Sequence, residues 1–300
     1  MTETELHKLK QQRVGIYYFS ATENTAKVAR LYRDALGGFF KSCELIRLPL
    51  AEDGAMSSSE YDLIGIGYPV HAFNAPELVL RFASSLPMQE NGRRVFLFKT
   101  SGEPMILNRA SSLKLKKILK RKHYIVTNEY SYCMPYNIIF KHTDGEAYRM
   151  WQTAQALVAL DTREIAEGKP RREGKLFLGG LFAFIMRIEH FGARLNGRFF
   201  AVKGACTLCG RCVKNCPMGN ISIKDGKIVF GKNCAMCMRC SFFCPKNCIK
   251  IGLFDKWRVN GEYSFAESYD MKSPHEKYCK RAYRRYFAEA KKRIEEGAKN

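Results

Sequence analysis

The sequence predicts an α/β protein, in which a doubly wound sheet of five parallel strands precedes a small α+β domain. Three observations support this prediction. Short apolar runs alternate with helical patterns through the first half of the chain. Eight cysteines recur further along in two copies of one pattern. With 46% hydrophobic residues among 300, the chain has enough apolar side chains for a sizeable core.

The strands of the sheet are predicted from apolar runs that end at turn residues or at the start of a helical pattern. The predicted strands lie at residues 14–19, 42–48, 61–69, 93–100 and 124–132. Helical patterns follow the first, third and fourth of them, at residues 26–36, 76–86 and 109–122. Because strands that alternate with helices form parallel sheets, we expect ligands beyond the carboxyl ends of the strands.

The cysteines of the second half form a repeat with an offset of 28 residues. Residues 206–217 read CTLCGRCVKNCP, and residues 234–245 read CAMCMRCSFFCP. The chain begins with a polar segment that lacks a signal-peptide pattern, so we expect a cytoplasmic protein. Thiols stay reduced in that compartment, which favours metal binding by these cysteines over disulfide bonds.

The spacing of each copy, C-x2-C-x2-C-x3-C-P, resembles that of bacterial two-cluster ferredoxins, in which the fourth cysteine binds the other cluster. The resemblance implies that Cys206, Cys209, Cys212 and Cys244 bind one [4Fe–4S] cluster, and that Cys234, Cys237, Cys240 and Cys216 bind the second. Structural zinc is the alternative, because two tetrahedral sites could use the same eight thiolates. Zinc sites usually pair one C-x2-C with a distant one, so the iron–sulfur interpretation is favoured.

Four cysteines lie outside the repeat. Cys248 falls on Asn220 when the two copies are aligned, so we expect a packed thiol close to a cluster rather than a ligand. Cys43 is expected to be a small apolar residue of a strand, and for Cys133 a packing role is favoured over a position near the flavin face. Cys279 lies in a charged C-terminal segment and receives no assignment.

A polar turn follows the first strand and contains Ser20, Thr22, Asn24 and Thr25. Hydroxyls, an amide and the N–H groups of a helix N-terminus can together bind an anion. The alternative is an ordinary helix N-cap, which uses the same residue types. The turn resembles the phosphate loop of flavodoxins, S/T-x-T-G-N-T, except that Glu23 stands where that family usually has glycine. A carboxylate is unfavourable beside a phosphate unless it points away from it.

Two further loops match flavodoxins in position. Residues 68–76 follow the third strand and correspond to a loop that lies along the flavin ring, and residues 100–104 follow the fourth strand. The resemblance implies FMN contacts at Ser20, Thr22, Glu23, Asn24, Thr25, Tyr68, Pro69, Val70, His71, Phe73, Asn74, Thr100, Ser101 and Gly102. For His71 a plain loop histidine is an equal alternative, and Tyr68 and Phe73 could instead be packing residues.

Both halves together resemble the flavodoxin–ferredoxin fusion proteins found mainly in anaerobic bacteria. The resemblance rests on the cysteine repeat, the polar turn, YPVHAFNAP at residues 68–76 and MPYN at residues 134–137. It implies a flavodoxin-like sheet of strand order 2-1-3-4-5. The implied domains are residues 13–168 (flavodoxin-like), 169–202 (connector), 203–252 (two-cluster ferredoxin) and 253–300 (C-terminal extension).

The resemblance further implies an electron-transfer oxidoreductase, in which bound FMN exchanges electrons with two [4Fe–4S] clusters and with an unidentified donor or acceptor. No acid–base pair in the sequence stands out as catalytic. Two alternatives stay open. The chain could be a non-catalytic electron carrier or redox adaptor, or it could be a ferredoxin whose flavodoxin-like domain no longer binds FMN.

The net charge of +21 is most concentrated around the cysteines, since residues 203–252 hold nine Lys and Arg against one Asp. Negatively charged clusters would offset part of this charge. A basic surface would also attract an acidic redox partner such as a ferredoxin or flavodoxin, beside any small-molecule acceptor. No nucleic-acid recognition module is visible in the sequence.

The connector is both apolar and basic. We favour its packing against the sheet over contact with an anionic membrane or a role as the wall of a substrate pocket. Its longest apolar run, residues 176–186, is too short to cross a bilayer. Near the C-terminus, residues 273–296 predict a solvated amphipathic helix, with SPHE as its capping start.

Overall fold

The computed structural model describes residues 2–49, 60–174, 176, 178–267 and 278–299. A parallel sheet of five strands occupies the N-terminal half, in the order β2-β1-β3-β4-β5. The strands are β1 (Arg13–Tyr18), β2 (Ser42–Arg47), β3 (Leu63–Pro69), β4 (Arg93–Ser101) and β5 (Tyr124–Cys133). The predicted fold class and strand order are therefore confirmed, and this half has the flavodoxin-like fold.

Helices cover both faces of the sheet, which explains why β3 is almost continuously apolar and buried. The helices of this half are α1 (Glu3–Leu9), α2 (Asn24–Gly37), α3 (Glu77–Ser85), α4 (Leu113–Arg121) and α5 (Asp144–Ala166). On one face α2 packs with α5, and on the other α3 packs with α4. Gly65 and Gly67 of β3 leave room for aromatic rings of β4, because an added Cβ would overlap Phe96 or Phe98.

The cysteine-rich module, residues 200–257, is built from very short elements. Strand β6 (Phe200–Val202) pairs antiparallel with β9 (Ile249–Ile251), and β7 (Ile221–Lys224) pairs with β8 (Lys227–Phe230). The helices α8 (Arg211–Lys214) and α9 (Arg239–Phe242) each contain the third cysteine of one copy of the repeat.

Apolar side chains around the module only partly follow the sequence pattern. Of the four isoleucines that the two copies share at equivalent positions, Ile221, Ile249 and Ile251 are buried, but Ile223 is 44% exposed. The hairpin of β7 and β8 is two-stranded and leaves the outward side chain of Ile223 uncovered.

The connector forms two helices, α6 (Gly179–Met186) and α7 (Ile188–Gly197). It does pack against the sheet domain, because the ring of Phe182 meets the edge of Phe73 at 5.0 Å between centroids. Its largest apolar side chains nevertheless face outward. Among the described residues, no helix is both long enough and apolar enough to span a membrane.

The C-terminal helix α10 (Lys280–Gly297) packs against α5 and buries Tyr283 and Ala290. The prediction of a helix is therefore confirmed, but the prediction that it is simply solvated is wrong, because one side of it completes the α5 face of the core. The expected SPHE capping start, residues 273–276, lies outside the described residues.

Candidate functional site

A cavity of about 720 Å³ lies at the carboxyl ends of the strands. The sheet domain forms one wall, and α7 and the cysteine-rich module form the other. Of the predicted FMN contacts, those that line the cavity are Ser20, Thr22, Asn24, Thr25, Pro69, Val70, His71, Phe73, Thr100, Ser101 and Gly102. The structure thus brings three separate loops of the sequence together around one space.

Three of the predicted contacts do not line this cavity. Tyr68 is fully buried in the core between the sheet and α3, so the packing alternative is correct for it. Asn74 is also buried, and its side-chain amide donates to the carbonyl of Ala72 within its own loop. Glu23 turns away from the cavity toward two arginines. Tyr68 and Asn74 therefore shape the loop, whereas Glu23 pairs with the two arginines.

The polar turn presents an anion-binding surface to the cavity. Helix α2 begins at Asn24, so the N–H groups of its first turn lack intrahelical partners. The hydroxyl of Ser20 is buried and has no hydrogen-bond partner among the described residues. Behind it, the hydroxyls of Thr25 and Thr100 are 2.8 Å apart and tie the turn to β4. An orphaned hydroxyl beside a helix N-terminus fits a phosphate group.

Glu23 occupies the position of the flavodoxin glycine with a left-handed backbone, at φ 69°. Its carboxylate accepts two hydrogen bonds from the guanidinium of Arg47, at 3.0 and 2.7 Å, and one from Arg239 at 3.1 Å. Burial alone would raise the pKa of Glu23, but these arginines outweigh it and lower the pKa below its ordinary value. The carboxylate is thus charged, paired and directed away from the anion-binding surface.

Arg239 links the two halves of the molecule directly. It lies between Cys237 and Cys240, and its Nη1 donates to the carbonyls of Ser20 at 3.2 Å and Ala21 at 2.7 Å as well as to Glu23. One guanidinium therefore holds the polar turn of the sheet domain against the second copy of the cysteine repeat. No local sequence pattern indicates this contact, because it joins residues more than 200 positions apart.

The segment after β5 closes the polar turn from the other side. Asn24 donates its side-chain amide to the carbonyl of Pro135 at 2.7 Å, and Asn137 donates to the hydroxyl of Thr22 at 3.2 Å. The ring of Tyr136 packs so tightly on Gly102 that an added Cβ would overlap it. Tyr136 thus supplies an aromatic wall beside the loop of residues 100–104. In the sequence, the position of Tyr136 directly after the last strand is the feature that indicates its place at the site.

Two titratable side chains line the cavity beside the aromatic residues, namely His71 and Glu103. Burial raises the pKa of the Glu103 carboxyl above its ordinary value. The backbone carbonyl of Glu103 accepts hydrogen bonds from Ser101 and Asn108, which fix the loop that bears it. The sequence predicts this loop at the site, but no pattern in it singles out Glu103.

The eight cysteines of the repeat fall into two neighbourhoods. Cys206, Cys209, Cys212 and Cys244 line one small cavity, which Cys240 and Cys248 also reach. In the other neighbourhood, burial and then the charges of Cys234 and Cys216 raise the pKa of Cys237 to about 12. Burial and then the charges of Cys237, Cys234 and Cys216 also raise the pKa of Cys240. Cys216 and Cys244, the fourth cysteines of the two copies, thus each lie near the first three cysteines of the other copy. That these cysteines bind a cluster stays a prediction.

No group of three or more His, Cys, Asp or Glu within the described ranges is arranged to hold a single metal ion. Ligation of iron or of zinc by these cysteines therefore stays a prediction.

Cys248 lies beside the first neighbourhood. It is buried, and its sulfur is 3.5 Å from that of Cys244. Burial, Cys244 and Cys206 raise the pKa of the Cys248 thiol to about 12. Elsewhere, Cys133 is buried, Cys43 is half-buried in β2 and Cys279 is exposed at the start of α10. Cys248 thus has the expected position of a packed thiol, and its role stays a prediction.

The second neighbourhood lies against the sheet domain. Cys237 packs on the apolar core beneath β1 and β3, and Cys234 shares a small cavity with Phe19 and His71. Gly197, at the end of α7, approaches Cys234 so closely that an added Cβ would overlap it. The group of Cys216, Cys234, Cys237 and Cys240 is therefore the one adjacent to the large cavity.

Flavodoxins are among the solved structures to which the chain is similar. A flavodoxin of Megasphaera elsdenii is 22% identical, covering 39% of this chain and 84% of that one, with a TM-score of 0.33. An archaeal flavodoxin is 14% identical over 52% of this chain and 99% of its own, with a TM-score of 0.35.

Rubredoxin:oxygen oxidoreductase from the anaerobe Desulfovibrio gigas is 16% identical over 55% of this chain and 39% of its own, with a TM-score of 0.36. Neither a protein-family model nor a curated protein matches the chain. The flavodoxin-like character of the N-terminal half rests on its own strand order and connections.

Proposed function

We propose that the protein is an electron-transfer oxidoreductase that holds FMN in the large cavity and two [4Fe–4S] clusters in the cysteine-rich module. The contact made by Arg239 supports this proposal most strongly. The Arg239 side chain lies between two expected cluster ligands in the sequence and donates hydrogen bonds to two carbonyls of the turn that is expected to bind the flavin phosphate. Such a contact is expected where two redox sites must be kept close together.

The residues of the cavity fit FMN. The orphaned hydroxyl of Ser20 and the N-terminus of α2 would bind the phosphate. The loop of residues 69–73, the loop of residues 100–103 and the ring of Tyr136 would enclose the flat ring system. Because Glu23 is neutralised by Arg47 and Arg239, its substitution for glycine does not place an unpaired negative charge beside the phosphate.

The donor set of the module fits two iron–sulfur clusters. The proposed ligands are four thiols in each neighbourhood, with one cysteine of each set taken from the other copy of the repeat.

When bound, FMN supplies the exchange between single-electron and paired-electron transfer, and the clusters supply single-electron transfer. The protein positions these groups and excludes water. Helix α7 closes one side of the cavity, and Asn196 near its end donates to the carbonyl of Ile251 and accepts from the N–H of Leu253. His71 and Glu103 are the titratable groups placed to exchange protons with a substrate in the cavity.

Flavin reduction by a donor protein tests the proposal. We expect a reduced two-cluster ferredoxin to reduce the flavin of the anaerobic protein. Cys237→Ser should lose one cluster and slow this reduction at least tenfold, because the group adjacent to the cavity is removed. Cys43→Ser, a half-buried cysteine outside the repeat, is the matched control and should behave as wild type. Equal rates in the two variants would contradict the proposed route.

Assays with small-molecule electron acceptors distinguish an enzyme from a non-catalytic electron carrier. The cavity is lined by apolar side chains from α7 as well as by the polar turn, which favours a site for a substrate. We therefore expect turnover of at least one class among quinones, nitroaromatics and enoates. No turnover with any of them, together with rapid electron exchange with ferredoxins, would assign the chain to the carriers.

A further inference from the structure

An apolar stripe faces outward along the connector. Helices α6 and α7 are almost continuous, because Arg187 between them also has helical angles, φ −67° and ψ −14°. Large apolar side chains recur at helical spacing along both of them. The six residues of the stripe are 38–73% exposed: Leu181, Phe184, Ile185, Ile188, Phe191 and Leu195.

The opposite side of the same helices is buried and is made of small or polar residues. Ala183, Ala193 and Asn196 are at most 5% exposed. The orientation is held by specific contacts, since Arg194 donates to both carboxylate oxygens of Glu77 at 2.9 and 2.8 Å. The contacts on the buried side therefore hold the apolar side of the helices toward the solvent. An amphipathic helix of a globular protein usually has the opposite orientation, with its apolar side in the core.

The stripe continues onto neighbouring parts of the surface. Phe199, Leu253 and Trp257 are 59%, 77% and 49% exposed, and all three line the large cavity together with Phe191 and Leu195 of the stripe. One contiguous apolar surface thus surrounds one side of the cavity. A patch of this kind on a folded chain marks an interaction site rather than scattered exposed residues.

Charge indicates what this surface contacts. The segment that carries the stripe, residues 178–202, has three Arg against one Glu, in a chain of net charge +21. Helices with Leu, Ile and Phe on one side and with arginines and tryptophan at their border lie in the interface of anionic membranes. An acidic protein would satisfy the charge but does not require a stripe of six large apolar side chains.

We propose that the α6–α7 stripe docks on the surface of a membrane that contains anionic lipids, with the helices lying in the plane of the interface. The apolar side chains enter the headgroup boundary, and the exposed Arg198 contacts lipid phosphates. The docked protein holds its large cavity against the membrane, where an acceptor dissolved in the lipid can enter. The docking itself does not depend on the identity of any cofactor.

Vesicle sedimentation with the anaerobically purified full chain tests this proposal. We expect the protein to sediment with vesicles of equal parts phosphatidylglycerol and phosphatidylcholine, and at least tenfold more weakly with phosphatidylcholine alone. High salt should weaken the binding to the anionic vesicles. Absence of binding to anionic vesicles would overturn the proposal.

Two pairs of variants localise the contact. Leu181→Ser/Ile185→Ser removes two exposed stripe residues that do not line the cavity, and it should weaken vesicle binding at least tenfold. Met88→Ser removes an equally exposed apolar side chain elsewhere and should have no effect. For charge, Arg198→Ser should weaken binding about fivefold, and Lys117→Ser on α4 less than twofold.

The contents of bound flavin and of iron report whether a variant is folded. Both should be unchanged in the stripe variant, Leu181→Ser/Ile185→Ser. If that variant binds anionic vesicles as wild type does, the stripe is not the contact and the proposal fails. If light scattering instead shows a dimer that the stripe variant abolishes, without vesicle binding, the surface joins two copies of the chain. Binding of an acidic ferredoxin that is lost in the stripe variant, again without vesicle binding, would assign the surface to a protein partner.

Discussion

The sheet domain and the cysteine-rich module differ in what holds their proposed sites in place. A large buried core holds the site of the sheet domain, whereas the module has very short elements and a small apolar cluster. In the sheet domain, the polar turn joins β1 to α2, and both elements are anchored in a large buried core. In the module, the helices have four residues each, and the apolar cluster around β6 and β9 buries only Phe200, Met238, Cys248, Ile249 and Ile251. Helices this short are not stable alone. We therefore expect the proposed flavin site to be preformed, and the proposed cluster sites to require their metal for folding.

Removal of iron should show this difference most strongly. A chelator under reducing conditions should unfold the module, while the sheet domain keeps its structure. Amide hydrogen exchange checks this, because β6 and β9 should lose protection and β4 and β5 should retain it. Equal protection of all four strands after the iron is gone would show that the module folds without clusters.

The next largest effect concerns the contact between the two regions. Arg239→Ala should weaken FMN binding about tenfold, because it removes charge-assisted hydrogen bonds to the polar turn. Arg211 is the matched control, since it occupies the same position in the first copy of the repeat and donates to the carbonyl of Phe243 instead. Titration of flavin-free protein with FMN measures both affinities.

We expect Arg211→Ala to change the FMN affinity less than twofold. If both arginine variants weaken FMN binding equally, the effect comes from general loss of positive charge rather than from the contact with the turn.

A smaller effect is expected for Glu23. Glu23→Gln should weaken FMN binding about threefold, because the turn loses charged pairs with Arg47 and Arg239 but keeps its backbone contacts. A double-mutant cycle with Arg239→Ala should give a coupling energy of about 1 kcal/mol. Additive effects in the cycle would mean that the two side chains act on FMN binding independently.

The smallest effect is expected for Cys248, which lies beside Cys244 but outside the repeat. Cys248→Ser should retain both clusters and nearly all of the iron. Cys209→Ser, in the same neighbourhood, should lose or degrade one cluster. Loss of a whole cluster in Cys248→Ser would overturn the ligand assignment, and iron analysis with electron paramagnetic resonance distinguishes the outcomes.

The sequence was sufficient for features that depend on local patterns. Apolar runs that alternate with helical segments predicted all five strands and, with the flavodoxin resemblance, their order. The positions of the three loops followed, because carboxyl ends of parallel strands meet at one edge of the sheet. The repeat and its resemblance to two-cluster ferredoxins predicted two groups of four cysteines, and their role as ligands stays a prediction.

Features that depend on distant contacts were not predicted. Glu23 looked unfavourable because its partners, Arg47 and Arg239, come from the second strand and from the cysteine repeat. Tyr68 was assigned to the flavin loop, but the end of β3 turns its ring into the core. The stripe on α6 and α7 has the spacing that usually faces a core, and only the folded chain shows that it faces outward.

The content of iron, acid-labile sulfide and flavin in protein purified without oxygen tests the central claim most directly. Two [4Fe–4S] clusters and one FMN predict about eight iron atoms, about eight sulfides and about one flavin per chain. Protein with zinc in place of iron, or without acid-labile sulfide, would contradict the account of the module. Full iron content without flavin would instead contradict the account of the cavity.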